Sequence, residues 1–270
     1  MTEPEVRYEV EGNVAHVVLN RPDRMNALTV AMARLVEDVL LQAERDPDVR
    51  CIVLSGAGSA FCSGDDTSQW SGPGLSTVLE DLSDARPRVL PPMAALLDCR
   101  KPVICAVNGP ALGAGMDLAL LCDIRIASEA ATFGQLFVKF GLSSYVGGLW
   151  ALPQLVGPSM AAELLFTGRT IDARTALAVG LVSRVTSDVD LGPAATSLAI
   201  EIAANPPLAV RYLKEGLRRG MSTPRRELPE LAAFAANSLA RLLASEDHHN
   251  AVRALRTGPG AASSSTAVSR

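Results

Sequence analysis

Asn108-Gly109-Pro110-Ala111-Leu112-Gly113-Ala114-Gly115-Met116-Asp117 follows directly on the apolar run Pro102–Val107. The run reads as a buried strand, and Asn-Gly-Pro ends it. Glycine lets a backbone approach a ligand closely and take a positive φ. A short helix opening at about Ala114 and reaching Leu121 presents first-turn N–H groups to an anion. That anion is a phosphate or a developing oxyanion. A second stretch of the same kind, Ala60-Phe61-Cys62-Ser63-Gly64-Asp65-Asp66, follows the short strand Cys51–Leu54. Neither stretch carries the glycine-lysine pattern of a phosphate loop, the spaced glycines of a dinucleotide fold or the serine of a nucleophile elbow. Taken alone, the pair is also explained by turns and tight helix–strand packing.

Working outward, Val14–Leu19 reads as a strand broken by Asn20-Arg21-Pro22, and Thr29 as the cap of a helix to about Gln42. Residues 56–74 read as a loop, Met93–Cys99 as a helix and Ile124–Ala127 as a further strand. The strands alternate with helices and have little polar–apolar alternation of their own, which predicts an α/β core with sheets covered on both faces. From about residue 155 the pattern is helical: Ser159–Phe166, Asp172–Val179, Leu191–Ala204, Pro207–Arg219 and about Leu228–Ala244. The expected organisation is a core over residues 1–200, a C-terminal helical region over 201–256 and a disordered tail over 257–270.

The 270 residues carry a net charge of −4 and are 48% hydrophobic. One substantial core is therefore within reach. A global basic excess that would attract nucleic acid or an anionic membrane is missing. No apolar run has the length of a membrane helix, and the N-terminal stretch lacks the apolar centre of a signal peptide. The odd set Cys51, Cys62, Cys99, Cys105 and Cys122 reads as buried, reduced thiols in a cytoplasmic protein. His16, His248 and His249 have no metal-site spacing, so no metal is expected.

At the two glycine stretches the chain resembles the crotonase, or enoyl-CoA hydratase/isomerase, superfamily, from about Val6 to Arg256. The likeness includes Leu19-Asn20-Arg21-Pro22 with Asn26-Ala27-Leu28, both glycine stretches, Lys101-Pro102-Val103-Ile104, Cys122-Asp123-Ile124-Arg125-Ile126-Ala127, Phe133-Gly134-Gln135, Glu163–Arg169 and Gly180-Leu181-Val182. It implies stacked ββα units forming two roughly perpendicular sheets. It also implies a C-terminal helical region that mediates homotrimers, often paired into homohexamers. The implied partner is a small-molecule acyl-CoA, with coenzyme A as carrier and no tightly bound cofactor. By position, the N–H groups of Asp65 and Ala114 would hold the thioester oxygen as it gains charge. One such donor is typically worth about 2.7–4 kcal/mol. Coenzyme A would lie against Arg24, Met25 and Ala27 and against the loop of Ser63, Asp65, Asp66 and Thr67, with Ala114 beside it. Asp66 also reads as a carboxylate capping local N–H groups.

The departures from the family pattern bear on the reaction. Hydratases of the family hold water between two glutamates, one base and one acid. By the resemblance, the first position is Asp117 here and the second is Phe137, which can neither move a proton nor hold water. Asp117 is thus the expected acid/base, though capping of its own helix is an alternative role, and the helix N-terminus favours its charged form. A third family position falls at about Tyr145, a weak acid, a hydrogen-bond donor or a wall. Trp70, Phe137, Phe140 and Trp150 suit a bulky or aromatic acyl pocket, although core packing explains them as well. Arg253 and Arg256 read as a solvated helix face or as partners for CoA phosphates on a neighbouring subunit. The expected activity is isomerisation or hydration of an unsaturated acyl-CoA. The alternatives are a catalytically impaired acyl-CoA binder, and decarboxylation or C–C cleavage.

Overall fold

The computed structural model describes residues 3–70, 91–144, 147–222, 246 and 250; the side chains of Trp70, Pro91 and Ser222 are outside that description. The described residues fall into two units divided between Ile202 and Ala203, and each is taken by itself.

The first unit is built on a six-stranded sheet in the order β1-β2-β3-β4-β6-β9. These are β1 (Val6–Glu11), β2 (Val14–Leu19), β3 (Cys51–Gly56), β4 (Val103–Val107), β6 (Ile124–Ser128) and β9 (Arg184–Thr186). β1 pairs antiparallel with β2, and every other pair is parallel. The continuous apolar runs of β3 and β4 follow from this, because a parallel strand is covered on both faces; all of Val103–Val107 is buried. β1 was not anticipated. Its sequence VRYEVE alternates, and only Val6 is buried, as befits an edge strand blunted by Glu9 and Glu11. A second sheet, β5-β7-β8, joins β5 (Ala111–Leu112), β7 (Thr132–Gly134) and β8 (Thr170–Asp172). Strands of two or three residues leave no readable period, which is why none of the three was expected.

Helix α1 (Val30–Arg45) starts where Thr29 predicts, with Thr29 Oγ1 accepting from the Met32 N–H at 3.0 Å, and runs three residues past the expected end. Its buried stripe is Met32, Val36, Leu40 and Ala43. Lys101 Nζ donates to the Ala43 carbonyl at 2.6 Å, closing the helix's C-terminal end. Helix α2 (Pro91–Asp98) brings Met93 and Leu96 into the same core as Leu19, Ile52 and Leu54. Helix α3 (Ala114–Leu121) is buried along its whole length. Its late carbonyls, at Ala119 and Leu120, and that of Cys122 just past its end accept from the buried Arg125 guanidinium at 2.6 to 3.3 Å. Burial pushes that guanidinium below its usual range. Beyond α3 come α4 (Leu152–Val156), α5 (Pro158–Thr167), α6 (Ala173–Ala178) and α7 (Leu191–Ala203). Asp172 caps α6 by accepting from Thr175 N at 2.8 Å. All five cysteines are buried, and among the described residues no helix is long and apolar enough to cross a membrane.

In the second unit, α8 (Pro207–Ser222) presents Leu213, Leu217 and Met221 to solvent at a four-residue spacing. The expected helix near 228–244, Arg253, Arg256 and the tail lie outside the described residues.

Candidate active site

The two glycine stretches interlock. Cys62 N–H donates to the Pro110 carbonyl at 3.0 Å, and Leu112 N–H donates to the Cys62 carbonyl at 2.9 Å. Two glycines make the approach possible. A Cβ on Gly64, whose φ is +102°, would lie 2.9 Å from the Leu112 carbonyl oxygen and 3.5 Å from the Ala114 nitrogen. A Cβ on Gly115 would lie 2.2 Å from the Cys62 carbonyl oxygen. The backbone of residues 62–64 is therefore seated on the N-terminus of α3, and Asp65 follows at once. The N–H of Ala114 belongs to the first turn of α3, where no helix carbonyl precedes it to accept. The one thiol of the stretch, Cys62, is no nucleophile: burial pushes it up to about 12.

A second backbone seam joins the two segments that the resemblance assigns to coenzyme A. Ser63 N–H donates to the Met25 carbonyl at 2.9 Å, Leu28 N–H to Gly64 at 2.8 Å, and Asp66 N–H to Leu28 at 2.8 Å. Arg24, Met25 and Ala27 thus lie alongside Ser63, Asp65, Asp66 and Thr67. Arg24 also lines a surface recess of about 410 Å³ with Glu3, Asn20, Arg21, Pro22 and Asp23.

Two asparagines fasten the loop at residues 56–60 that leads into this seam, and residue-by-residue reading missed their role. Asn26, fully buried, takes φ of +55°. Its Oδ1 accepts from Arg21 N–H at 2.8 Å, and its Nδ2 donates to the Ala57 and Ala60 carbonyls at 2.9 and 2.8 Å. Asn108 accepts from Gly56 N–H at 3.1 Å and donates to the Gly58 and Ala60 carbonyls. The signal available in sequence was an asparagine in a turn, a residue that tolerates left-handed backbone.

Arg21 completes the seam, with Nη2 3.1 Å from Asp66 Oδ2 and Nε 3.2 Å from Glu5 Oε1. Asp66 Oδ1 accepts from Ser68 Oγ at 2.6 Å and Ser68 N–H at 3.2 Å. The Asp66 carboxyl is held below its usual range, first by Ser68 and then by Arg21. Its carboxylate is engaged by the protein, as the capping alternative expects. Thr67 opens a 3₁₀ turn, Thr67–Trp70, tied to α1 by Gln69 Oε1, which accepts from Val30 N–H at 3.1 Å.

Asp117 lies one turn into α3 and is wholly out of solvent. Gln135 Nε2 donates to Asp117 Oδ1 at 2.7 Å. Ser144 Oγ lies 3.4 Å from Oδ1, 3.3 Å from Oδ2 and 3.2 Å from Gln135 Oε1. The π turn Gly147–Ala151 covers the cluster: a Cβ on Gly147 would lie 2.7 Å from both Cα and Cβ of Asp117, and one on Gly148 2.1 Å from Ser144 Oγ. Reading the sequence did not single out Ser144, and met Gln135 only inside the family-like run Phe133-Gly134-Gln135.

The aromatic residues separate. Phe137 is buried, and its ring lies 3.6 to 3.9 Å from where a Cβ on Gly113 would be, so it roofs the residue that opens α3. Phe140 and Trp150 are 55% and 38% exposed, which rules out simple core packing for either. Tyr145 and the Trp70 side chain lie outside the described residues.

Comparison with known proteins agrees with this architecture. The profile of the enoyl-CoA hydratase/isomerase family matches residues 9–255. The short-chain-enoyl-CoA hydratase of Clostridium acetobutylicum is 36% identical over 247 residues, which is 91% of this chain and 92% of the relative. The 1,2-epoxyphenylacetyl-CoA isomerase of Escherichia coli is 37% identical over 209 residues, 77% of this chain and 79% of the relative. Among solved structures, an enoyl-CoA hydratase from Bacillus anthracis superposes with a TM-score of 0.86 at 30% identity, covering 94% of this chain and 96% of that one. The chain belongs to the enoyl-CoA hydratase/isomerase family of acyl-CoA enzymes and has the crotonase fold.

Proposed function

We propose that this protein isomerises the double bond of an unsaturated acyl-CoA, with the N–H groups of Asp65 and Ala114 holding the thioester oxygen and Asp117 moving the proton. The observation that carries the reading is the interlocked backbone at residues 62–65 and 113–115 with the Asp117 carboxylate one turn further along the same helix; by the family resemblance, Phe137 would stand where hydratases carry their second glutamate. As the base takes a proton from the carbon next to the thioester, the C–H electron pair delocalises onto the carbonyl oxygen. Two N–H donors fixed by interlocked backbone need no reorganisation to receive that charge. Returning the same proton two carbons away completes an isomerisation with one acid/base group. Hydration needs proton removal and delivery at a bound water, which two groups do better than one.

The named relatives include both reaction classes, a short-chain-enoyl-CoA hydratase and a 1,2-epoxyphenylacetyl-CoA isomerase. The Phe137 ring beside Gly113 supports an acyl pocket with an aromatic wall. Coenzyme A is placed along the seam of Arg24–Ala27 with Ser63–Thr67, no tightly bound cofactor is needed, and a homotrimer or homohexamer is the assembly that the family favours.

A second reading, an acyl-CoA binder without turnover, draws on the enclosure of Asp117. With no exposed atom, Asp117 meets an acyl carbon only after the cover over it opens. Incubation with a panel of 2- and 3-enoyl-CoA esters separates the readings by mass spectrometry. A shifted double bond is the expected product. A product heavier by one water would establish hydration instead, and tight binding without conversion would establish the binder.

A further inference from the structure

Arg125 is a buried cation held by carbonyls. Among the described residues, every acceptor of its guanidinium is main chain: Nη1 donates to Cys122 at 2.6 Å, Ala119 at 3.2 Å and Leu120 at 3.3 Å, and Nε donates to Leu181 at 2.8 Å. Three of these carbonyls lie at the C-terminal end of α3, the negative pole of that helix. Arg125 itself stands on β6, between β4 and β9 in the large sheet. One side chain thus ties the end of α3 to the sheet and to the bend at Leu181. The ionisable groups around it are Cys122, Cys105 and Asp123. Burial keeps Cys105 a neutral thiol. Asp123 is exposed, and its Oδ2 accepts from the Val103 N–H at 2.8 Å. A guanidinium stays charged at neutral pH. A full positive charge therefore stands inside the protein, at a cost that an apolar residue in its place would not carry.

At the other end of α3 is the Ala114 N–H, the proposed donor to the thioester oxygen. We infer that Arg125 is a positioning residue that acts through α3: it fixes one end of the helix and sets a positive charge there, so that negative charge arriving at the Ala114 end is stabilised. The inference rests on the reading of Ala114 as an oxyanion donor and adds a source for the field in which that donor works. α3 has 8 residues and spans about 12 Å. With the guanidinium just beyond Leu121 and the oxygen just before Ala114, the two charges are about 15 Å apart. At an effective dielectric of about 20, a pair at that distance shifts an ionisation equilibrium by about sixfold. All of α3 is buried, so salt screens the pair less than it would screen charges at the surface.

The test uses a 3-ketoacyl-CoA, which loses the proton between its two carbonyls to give a thioester enolate that absorbs in the near ultraviolet. The pH at which half of the bound ligand is enolate is read for the wild type, Arg125→Lys, Arg125→Gln and Arg125→Met. Saturating ligand favours the folded form, and thermal unfolding of each complex is recorded alongside. Asp65 and Asp117, the acids at the Ala114 end, are the same in every variant. The two neutral variants are expected to hold about sixfold less enolate than wild type at equal pH. Arg125→Lys keeps the charge with fewer donors, and is expected to stay within about twofold of wild type even where its unfolding temperature falls. A role confined to packing would follow stability and ignore charge. The inference is overturned if a folded neutral variant ionises the ligand as wild type does. It is equally overturned if folded Arg125→Lys loses enolate by sixfold or more, an outcome that stands whether or not the neutral variants fold. If wild type leaves the ligand no more ionised than it is in solution, the oxyanion reading of Ala114 falls first and the inference falls with it.

Discussion

The backbone half and the proton half of the site are built on opposite principles. At residues 62–65 and 110–115 the contacts are main chain to main chain, and the side chains that matter are those that glycine lacks. A little further along α3, at Asp117, the contacts are side chain to side chain, from Gln135 and Ser144. In the proposed reading the first arrangement specifies where an oxygen binds, and the second specifies what happens to a proton and can be changed by one residue. A family can keep the first and vary the second, which is how one fold comes to carry several reactions.

If the halves are separable, breaking the first should remove everything. Gly115→Ala places a methyl 2.2 Å from the Cys62 carbonyl oxygen, inside rigid backbone on both sides. The expected outcome is a loss of about 4 kcal/mol or more, or failure to fold, read by denaturant unfolding together with loss of acyl-CoA binding. Asn26→Ala is the next largest. It strands the Arg21 N–H and the Ala57 carbonyl, leaves the Ala60 carbonyl to Asn108, and puts alanine at φ of +55°. A cost of at least about 3 kcal/mol is expected, with CoA-ester affinity falling alongside stability because the loops it joins are the ones assigned to the ligand. Thr29→Ala removes the cap of α1, far from the proton half. It should cost about 1 kcal/mol and leave the ratio of turnover to binding unchanged.

The smallest effect concerns acid. Asp66 titrates lower in the folded protein than in the unfolded chain, because Ser68 and Arg21 hold its charged form. Its contribution is therefore present above the unfolded pKa, near the usual carboxylate value, and is lost as pH falls through the lower folded value. Asp66→Asn should unfold at a lower temperature than wild type at pH 6, and the gap should close in strong acid. Calorimetry across pH 2.5–6 reads this window, taken around the ordinary carboxylate range of about 4.

The two halves also differed in how far the sequence revealed them. The apolar strand runs at Val14–Leu19, Cys51–Leu54 and Pro102–Val107, and the cap at Thr29, are local signals, and the structure agrees with them. The helix opening at Ala114 was likewise marked by its glycines. Two kinds of feature escaped. The strands Ala111–Leu112, Thr132–Gly134, Thr170–Asp172 and Arg184–Thr186 are too short to show a period and exist because a neighbouring strand pairs with them. The partners of Asn26 and Asp117 are distant in the chain: Asn26 reaches Ala60 across 34 residues, and Ser144 reaches Asp117 across 27. Nothing in the residues around Ser144 marks it as the neighbour of a buried carboxylate. The carboxylate, the amide and the hydroxyl were each visible, but their meeting is a property of the fold.

The most direct test of separability is Asp117→Asn, measured twice on the same preparation: CoA-ester affinity by calorimetry and turnover of a 3-enoyl-CoA. Asparagine keeps the shape of the side chain and removes its basicity. The account predicts affinity within about threefold of wild type, since the interlocked backbone is untouched, and turnover lower by about 10² to 10⁴. Wild-type turnover in Asp117→Asn, or loss of binding together with turnover in a folded protein, would contradict it.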